Sequence, residues 1–288
     1  MSVELALSPG VYLRMTRPVN SAMIGFAVLV GSTIAAGCIS CINVYKLIAG
    51  WLTGFAISSY SMLTNDIFDV EIDRINQPNR PLPSGRASVK GAWITAGIMA
   101  FIGLAAAAYI GLIPFTVAFT ALIAAHFYNW RAKRTGLPGN MIVAYSVALP
   151  ILYGALLVQV VDARITIYWS MVFLSALARE VVKGIADIEG DSIAGVSTVA
   201  VSEGAEHAAM AAFALYMTAV ALSSIPLVYH WVRPLWYGIP VAFTDAIFVY
   251  SSLRLLRSPD RETALWQKKM ALLAMLLGLI GFMGGGRL

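Results

Sequence analysis

Nine runs of about 20 apolar residues follow one another along the chain, at 19–40, 44–66, 91–109, 111–129, 140–160, 165–186, 207–228, 231–252 and 265–284. That is the length a helix needs to cross a hydrocarbon layer. Lipid offers no partner for backbone N–H and C=O groups, so only helices and closed barrels can span it. Barrel strands are about 10 residues long and alternate in polarity, which these runs do not. The expected fold is therefore all-α, a polytopic membrane protein with nine transmembrane helices, forming one integral-membrane domain over 1–288. Composition agrees: 59% of the 288 residues are hydrophobic and 12% charged, against about 45–50% and about 25% in soluble chains. With a mean hydropathy of +0.77, the surplus of apolar surface must face lipid. Arg14 and Arg17 precede a stretch too long for a signal-peptide core, so the first run is expected to be a span and not a cleaved leader.

The net charge is +5, but the bases stand in short clusters between apolar runs, which argues against nucleic acid and for membrane surface and anionic substrates. Of the twenty Lys and Arg, Lys46, Arg164, Arg233 and Arg287 fall on the odd-numbered connections or the C-terminal end, and the other sixteen on the opposite side. The positive-inside rule then puts the N-terminus and the even-numbered connections in the cytoplasm of a cell-membrane protein. Cys38 and Cys41 are the only cysteines. They offer no disulfide framework and, inside an apolar run, are expected to be two small helix residues at i and i+3. Gly50 and Gly54 have the small-xxx-small spacing of closely packed helices.

Seven of the fifteen acidic residues fall in two segments, NDIFDVEID at 65–73 and DIEGD at 187–191, after the second and sixth spans. Four helices separate them, which points to two four-helix halves plus a ninth helix. On a helix, Asp66, Asp69 and Asp73 stand at i, i+3 and i+7 and Asn65, Asp69 and Asp73 at i, i+4 and i+8, on one face. Asp187 and Asp191 repeat the spacing. Carboxylates so crowded at a membrane boundary repel unless a cation holds them. Oxygen donors with no His or Cys favour a hard ion, Mg2+ first. Two such clusters suit metal ions clamping a polyanion, and diphosphate is the natural candidate. Arg179, Lys183, Asp187 and Asp191 run at steps of four along the sixth helix, so charges of both signs point to one place. The bland alternative is mutual neutralisation at the interface, which does not require five carboxylates in two matched patches. A transporter or lipid-binding scaffold would place its broken helices at mid-membrane depth, and no paired Gly/Pro interruptions occur there.

The stretches NDIFDVEIDRINQPNRPLPSG and REVVKGIADIEGD resemble the two aspartate-rich motifs of the UbiA superfamily of intramembrane prenyltransferases. TRPVN at 16–20 and YNWRAKRTGLPGN at 128–140 are further matches, and nine helices is the family's count. The resemblance implies Mg2+-dependent transfer of an isoprenoid group from its diphosphate to a nucleophilic acceptor. By position it makes Asn65, Asp66, Asp69 and Asp73 the first metal-diphosphate motif and Asp187 and Asp191 the second, with Asp69, Asp73, Asp187 and Asp191 catalytic. Arg17, Asn20, Lys133, Arg179 and Lys183 would bind substrate together with Asn65, and Tyr128 would stabilise the allylic cation or assist binding. Where the family often has an Asp three residues before Asp187, this chain has Gly184.

RPVN near the first helix together with EIDRINQPNRPLPSGRAS looks most similar to the superfamily's archaeal ether-lipid branch. That similarity implies transfer of geranylgeranyl from geranylgeranyl diphosphate to the hydroxyl of geranylgeranylglyceryl phosphate, with an aromatic acceptor such as 4-hydroxybenzoate as the alternative. Membrane lipid and these substrates are the expected partners, with no protein partner. A phosphorylated acceptor needs extra bases, and Arg74, Arg80, Arg86 and Arg131 are available, although positive-inside topology also accounts for them. His126 and the isolated Asp245 are expected to be hydrogen-bonded packing residues.

Overall fold

The structure, a computed structural model, describes residues 9–132, 135–193 and 195–285, without the side chains of 75 and 76. No strand occurs among them. Nine of the described helices are long and apolar enough to cross a membrane, in agreement with the expected count. The chain divides into two compact units, Met1–Val28 with Asn43–Arg131, and Leu29–Ile42 with Ala132–Leu288.

The first unit contains α1 (Pro9–Met15), the start of α2 (Pro18–Ala36), α3 (Val44–Phe68), α4 (Val70–Asn76), α5 (Val89–Ile110) and α6 (Leu112–Trp130). The Asn43 side chain accepts from the N–H groups of Tyr45 and Lys46, and Ser88 Oγ accepts from Gly91 N–H, so both spans start from capped ends. Gly111, at φ 152°, separates α5 from α6. α3 packs against α5 and α6 through a core that includes Tyr60, Leu63, Ile67, Ala92 and Ala96. A Cβ on Gly54 would come within 3.0–3.2 Å of Val28, Gly25 and Ile24, the close approach its spacing predicted. Ile94, Ile98, Phe101, Phe119 and Ile123 are left exposed on α5 and α6, a surface suited to lipid.

The second unit holds the rest of α2, α7 (Leu137–Leu156), α8 (Ala163–Ala186), α9 (Ile188–Ile193), α10 (Val199–Ser202), α11 (Ala205–Ser223), α12 (Ile225–Val228), α13 (Pro234–Arg257) and α14 (Arg261–Gly284). α8 packs against α7, α11 and α14, and α13 against α11 and α14. Alanines carry the core: Ala178, Ala208, Ala212, Ala264, Ala271 and Ala274 are 0% exposed around Tyr216, which stacks on Phe248 at 4.6 Å. Small side chains let helices approach where the hydrophobic effect supplies no drive between them. α13 continues to Arg257 and α14 starts at Arg261, both past the ends of the apolar runs, and Arg254 lies 4.5 Å over the Trp266 ring between them. Asp245 accepts from Ser223 Oγ at 2.7 Å, the packing role expected of it.

The cysteine expectation is corrected. α2 ends at Ala36, followed by Gly37 at φ 79°, so Cys38 and Cys41 lie in the α2–α3 loop and not on a helix. They form a disulfide, with Cα atoms 5.6 Å apart. The apolar run continues through the loop, which hid the helix end.

Candidate functional site

In the first acidic segment α3 stops at Phe68 and α4 starts at Val70, with Asp69 at the joint (φ −91°, ψ 0°). The hydrogen-bond ladder nevertheless runs through: Asp69 N–H donates to Asn65 O at 3.0 Å and Asp73 N–H to Asp69 O at 2.8 Å. The predicted steps of four residues therefore survive the break. The second segment repeats this joint. α8 ends at Ala186, Asp187 N–H donates to Lys183 O at 3.1 Å, and Asp191 N–H donates to Asp187 O at 2.8 Å.

Asp66, Asp69 and Asp73 are only 6%, 8% and 5% exposed, so their charges need partners inside the protein. Arg80 Nη1 lies 2.6 Å from Asp73 Oδ2 and 3.5 Å from Asp66 Oδ1, one nitrogen shared by two carboxylates. Arg17 Nη2 donates to Asp66 Oδ1 at 2.9 Å. Arg17 sits between α1 and α2 at φ 48°, a left-handed conformation before a proline that costs about 1–3 kcal/mol and is held by the surrounding structure. Thr16 Oγ1 donates to Leu13 O at 2.7 Å, and Ser21 Oγ donates to Thr16 O at 2.8 Å, pinning that kink from both sides.

Asn129 of α6 is the buried residue that ties this corner together. Its Nδ2 donates to Ser61 O at 2.9 Å and Thr64 Oγ1 at 2.8 Å, and its Oδ1 receives Asn65 Nδ2 at 3.5 Å. One turn earlier, His126 Nδ1 meets Tyr60 Oη at 2.8 Å, with Phe68 edge-on to the ring, the packing role expected for it.

In the second unit Glu180, buried on α8, stands between the two predicted cations: Oε1 is 3.3 Å from Arg179 Nη1 and Oε2 is 3.6 Å from Lys183 Nζ. At Gly184 a Cβ would touch Thr198 at 3.5 Å, so α8 is closed there by the residue that caps α10. Among the predicted residues, the structure thus brings Arg17, Asp66 and Asp73 together in the first unit, and Arg179 and Lys183 in the second. Asn20 is half-buried on the first turn of α2, Tyr128 half-buried in the last turn of α6, and Asp191 partly buried on α9. Lys133 lies outside the described residues.

Arg80, expected only as a base available to a phosphorylated acceptor, pairs with the motif acids instead, and Asn129 and Glu180 were not anticipated from the sequence. The signal for Glu180 was present, since an acid between two intramembrane bases is a pairing position. For Asn129 the signal was its place in the YNWRAKR stretch. Among the described residues no three His, Cys, Asp or Glu side chains converge into a ready-made metal cage. Asp66 and Asp73 share a guanidinium instead, which shows that the two carboxylates can share one cation. Their oxygen donors, with Asn65 beside them, fit a hard divalent ion.

With nine candidate spans among its described helices and buried, Arg-paired carboxylates in its first acidic segment, the chain matches the UbiA prenyltransferase family model over residues 23–280 and belongs to that family. A digeranylgeranylglyceryl phosphate synthase of Archaeoglobus fulgidus is 34% identical over 267 residues, covering 91% of this chain and 90% of that one. A solved structure described as giving insight into digeranylgeranylglyceryl phosphate synthase in membranes superposes with a TM-score of 0.77 at 29% identity, covering 96% of this chain and 98% of that chain. A UbiA homolog from Archaeoglobus fulgidus, bound to GPP and Mg2+, shares the fold with a TM-score of 0.67 at 19% identity, covering 94% and 99%.

Proposed function

We propose that the protein transfers a geranylgeranyl group from geranylgeranyl diphosphate to the free hydroxyl of geranylgeranylglyceryl phosphate, forming the second ether bond of an archaeal membrane lipid. The observation that carries the reading is the first acidic motif, where Asp66 and Asp73 share one cationic group beside Asn65 and Asp69. The names of the relatives supply the substrate pair.

In this reading Asn65, Asp66, Asp69 and Asp73 form one metal-diphosphate motif and Asp187 and Asp191 the other. Mg2+, when bound, neutralises the diphosphate and stabilises the charge that builds on it as it leaves. Arg17, Lys133 and Lys183 bind diphosphate oxygens and add to that stabilisation. Asn20 and Arg179 complete the substrate contacts. The allylic C–O bond breaks and the pair of electrons goes to diphosphate. Tyr128 offers its ring face to the allylic cation, and apolar side chains of the spans keep water from it. The acceptor hydroxyl then forms the new C–O bond and gives its proton to a diphosphate oxygen or a motif aspartate. The positive-inside count supports placing this chemistry on the cytoplasmic face of the cell membrane.

The test is an acceptor screen with purified protein, geranylgeranyl diphosphate and Mg2+. Ether product with geranylgeranylglyceryl phosphate and none with 4-hydroxybenzoate is the expected result; the reverse overturns the reading. Asp69→Ala and Asp191→Ala should each lower turnover by about 10³-fold or more in a folded protein, and near wild-type rates in either variant, or in excess chelator, would refute the metal assignment.

A further inference from the structure

The second unit contains a cation that stands apart from the ion pairs of α8. Lys268 lies two turns into α14, partly buried, about 10 Å from the helix start. It makes no ion pair or hydrogen bond with any described residue. A charged amine in a membrane-spanning helix is costly unless paired. The charges that face it are Asp187, Lys183, Arg179 and Glu180, all from α8 or its joint with α9. Arg179 lies seven residues before the end of α8, and α8 packs against α14. Glu180 is already divided between Arg179 and Lys183, and the reading above assigns Asp187 to the metal motif. Positive charge is therefore left over between α8 and α14.

Unmet hydrogen-bonding capacity occurs in the same two helices. Arg179 Nε is buried with no partner among the described residues, and so are both amide atoms of Gln267, the residue before Lys268, which is 0% exposed. Polar groups shut away from water in this way cost about 1–3 kcal/mol each unless a guest satisfies them.

We propose that Lys268 and Arg179 form an anion site in the second unit that takes the phosphate monoester of the acceptor, separate in role from the groups that hold the donor's diphosphate. The proposal rests on the ether-lipid reading above and names the residues that select a phosphorylated acceptor. A dianionic phosphate adds counter-charge where the two carboxylates facing Lys268 are each shared with other cations, Glu180 with Arg179 and Lys183 and Asp187, in the reading above, with metal, and its oxygens are acceptors for the Nε–H of Arg179. The acceptor's alkyl chain explains how an anion reaches helix positions below the interface.

The experiment compares geranylgeranylglyceryl phosphate with its dephosphorylated alcohol as acceptors for wild type, Lys268→Met, Lys268→Arg and the neighbouring control Lys269→Met. In Lys268→Met the KM for the phosphorylated acceptor should rise about tenfold or more, the KM for geranylgeranyl diphosphate should change less than about twofold, and the preference for the phosphorylated acceptor should fall by the same about tenfold factor. Lys268→Arg should recover most of that preference, and Lys269→Met should match wild type. Inorganic phosphate should compete with the acceptor in wild type and lose potency in Lys268→Met. An unchanged preference in Lys268→Met, or a matching rise in the donor KM, overturns the proposal. If wild type itself makes no ether from either acceptor, the ether-lipid reading fails instead. If Lys268→Met does not fold, as judged by gel filtration in detergent, the decision passes to Lys268→Arg and phosphate competition in wild type, where non-competitive or absent inhibition overturns it.

Discussion

Arg80 reaches back across the Gln77–Ala87 turn to Asp73, and the same nitrogen lies 3.5 Å from Asp66. Backbone bonds hold this turn in shape: Arg80 N–H donates to Gln77 O at 2.9 Å and Ala87 N–H to Pro81 O at 3.0 Å. A divalent ion that binds Asp66 and Asp73 has to displace this guanidinium, so Arg80 competes with metal in the absence of substrate. Removing the competitor leaves Asp73 without its ion-pair partner and Asp66 with Arg17 alone among the described residues, and the remaining repulsion between the two buried carboxylates favours another cation. Arg80→Gln should therefore bind Mn2+ alone about tenfold more tightly than wild type, measured by paramagnetic titration without diphosphate. Equal affinities would mean that Arg80 does not stand in the metal's place. The identities of the acids were readable from their spacing, whereas Arg80 was one of several loop bases equally well explained by topology. Only the turn, built by Pro78, Pro81 and Pro83, brings it to the acids.

The helix joints at Asp69 and Asp187 explain why a periodicity argument succeeded at a place where the helices stop. Each break leaves the i→i−4 bonds into and out of the Asp intact, so side chains four apart remain on one face. What periodicity cannot report is which neighbouring helix supplies the partner. Asn129 belongs to α6 and Lys268 to α14, and each reaches its place through tertiary packing alone. The other end of α8 offers a separate test. Asp162 caps it, accepting from the N–H groups of Arg164 and Ile165 and pairing with the Arg164 side chain at 2.7 Å. Burial by itself would raise the carboxyl's pKa, but the bonds from Arg164 and Ile165 together hold it below the usual value. A carboxylate with a depressed folded pKa stabilises the fold above its unfolded pKa of about 3.9, and that contribution is lost as pH falls through the lower folded value. Asp162→Ala should cost about 1 kcal/mol at neutral pH, seen as a lower thermal midpoint in detergent. The gap from wild type should stay constant down to about pH 4 and narrow only below it; a gap that closes by about pH 6 would assign the effect to a different group.

For the whole molecule, the same apolar side chains that demand lipid outside would keep water from an allylic cation wherever they line the substrate site, so composition and chemistry make one demand. The count of spans was legible because bilayer thickness fixes helix length. The end of α2 was not, because the loop after it is as apolar as the helix. Its disulfide bears on orientation. Bases concentrate on the connections that would be cytoplasmic, and the α2–α3 loop with Cys38 and Cys41 falls on the opposite side. Disulfides persist where the surroundings are oxidising, so the pairing of Cys38 with Cys41 supports the proposed orientation, with this loop on the outer side. With only two cysteines in the chain, the native protein can be tested directly. Intact cells expressing it should take up a membrane-impermeant maleimide only after mild reduction with an impermeant phosphine, because the cysteines are paired and face outward. Labelling of intact cells without reductant would show free thiols. Labelling that requires broken membranes would place the loop, and with it the sign of the whole topology, on the other side.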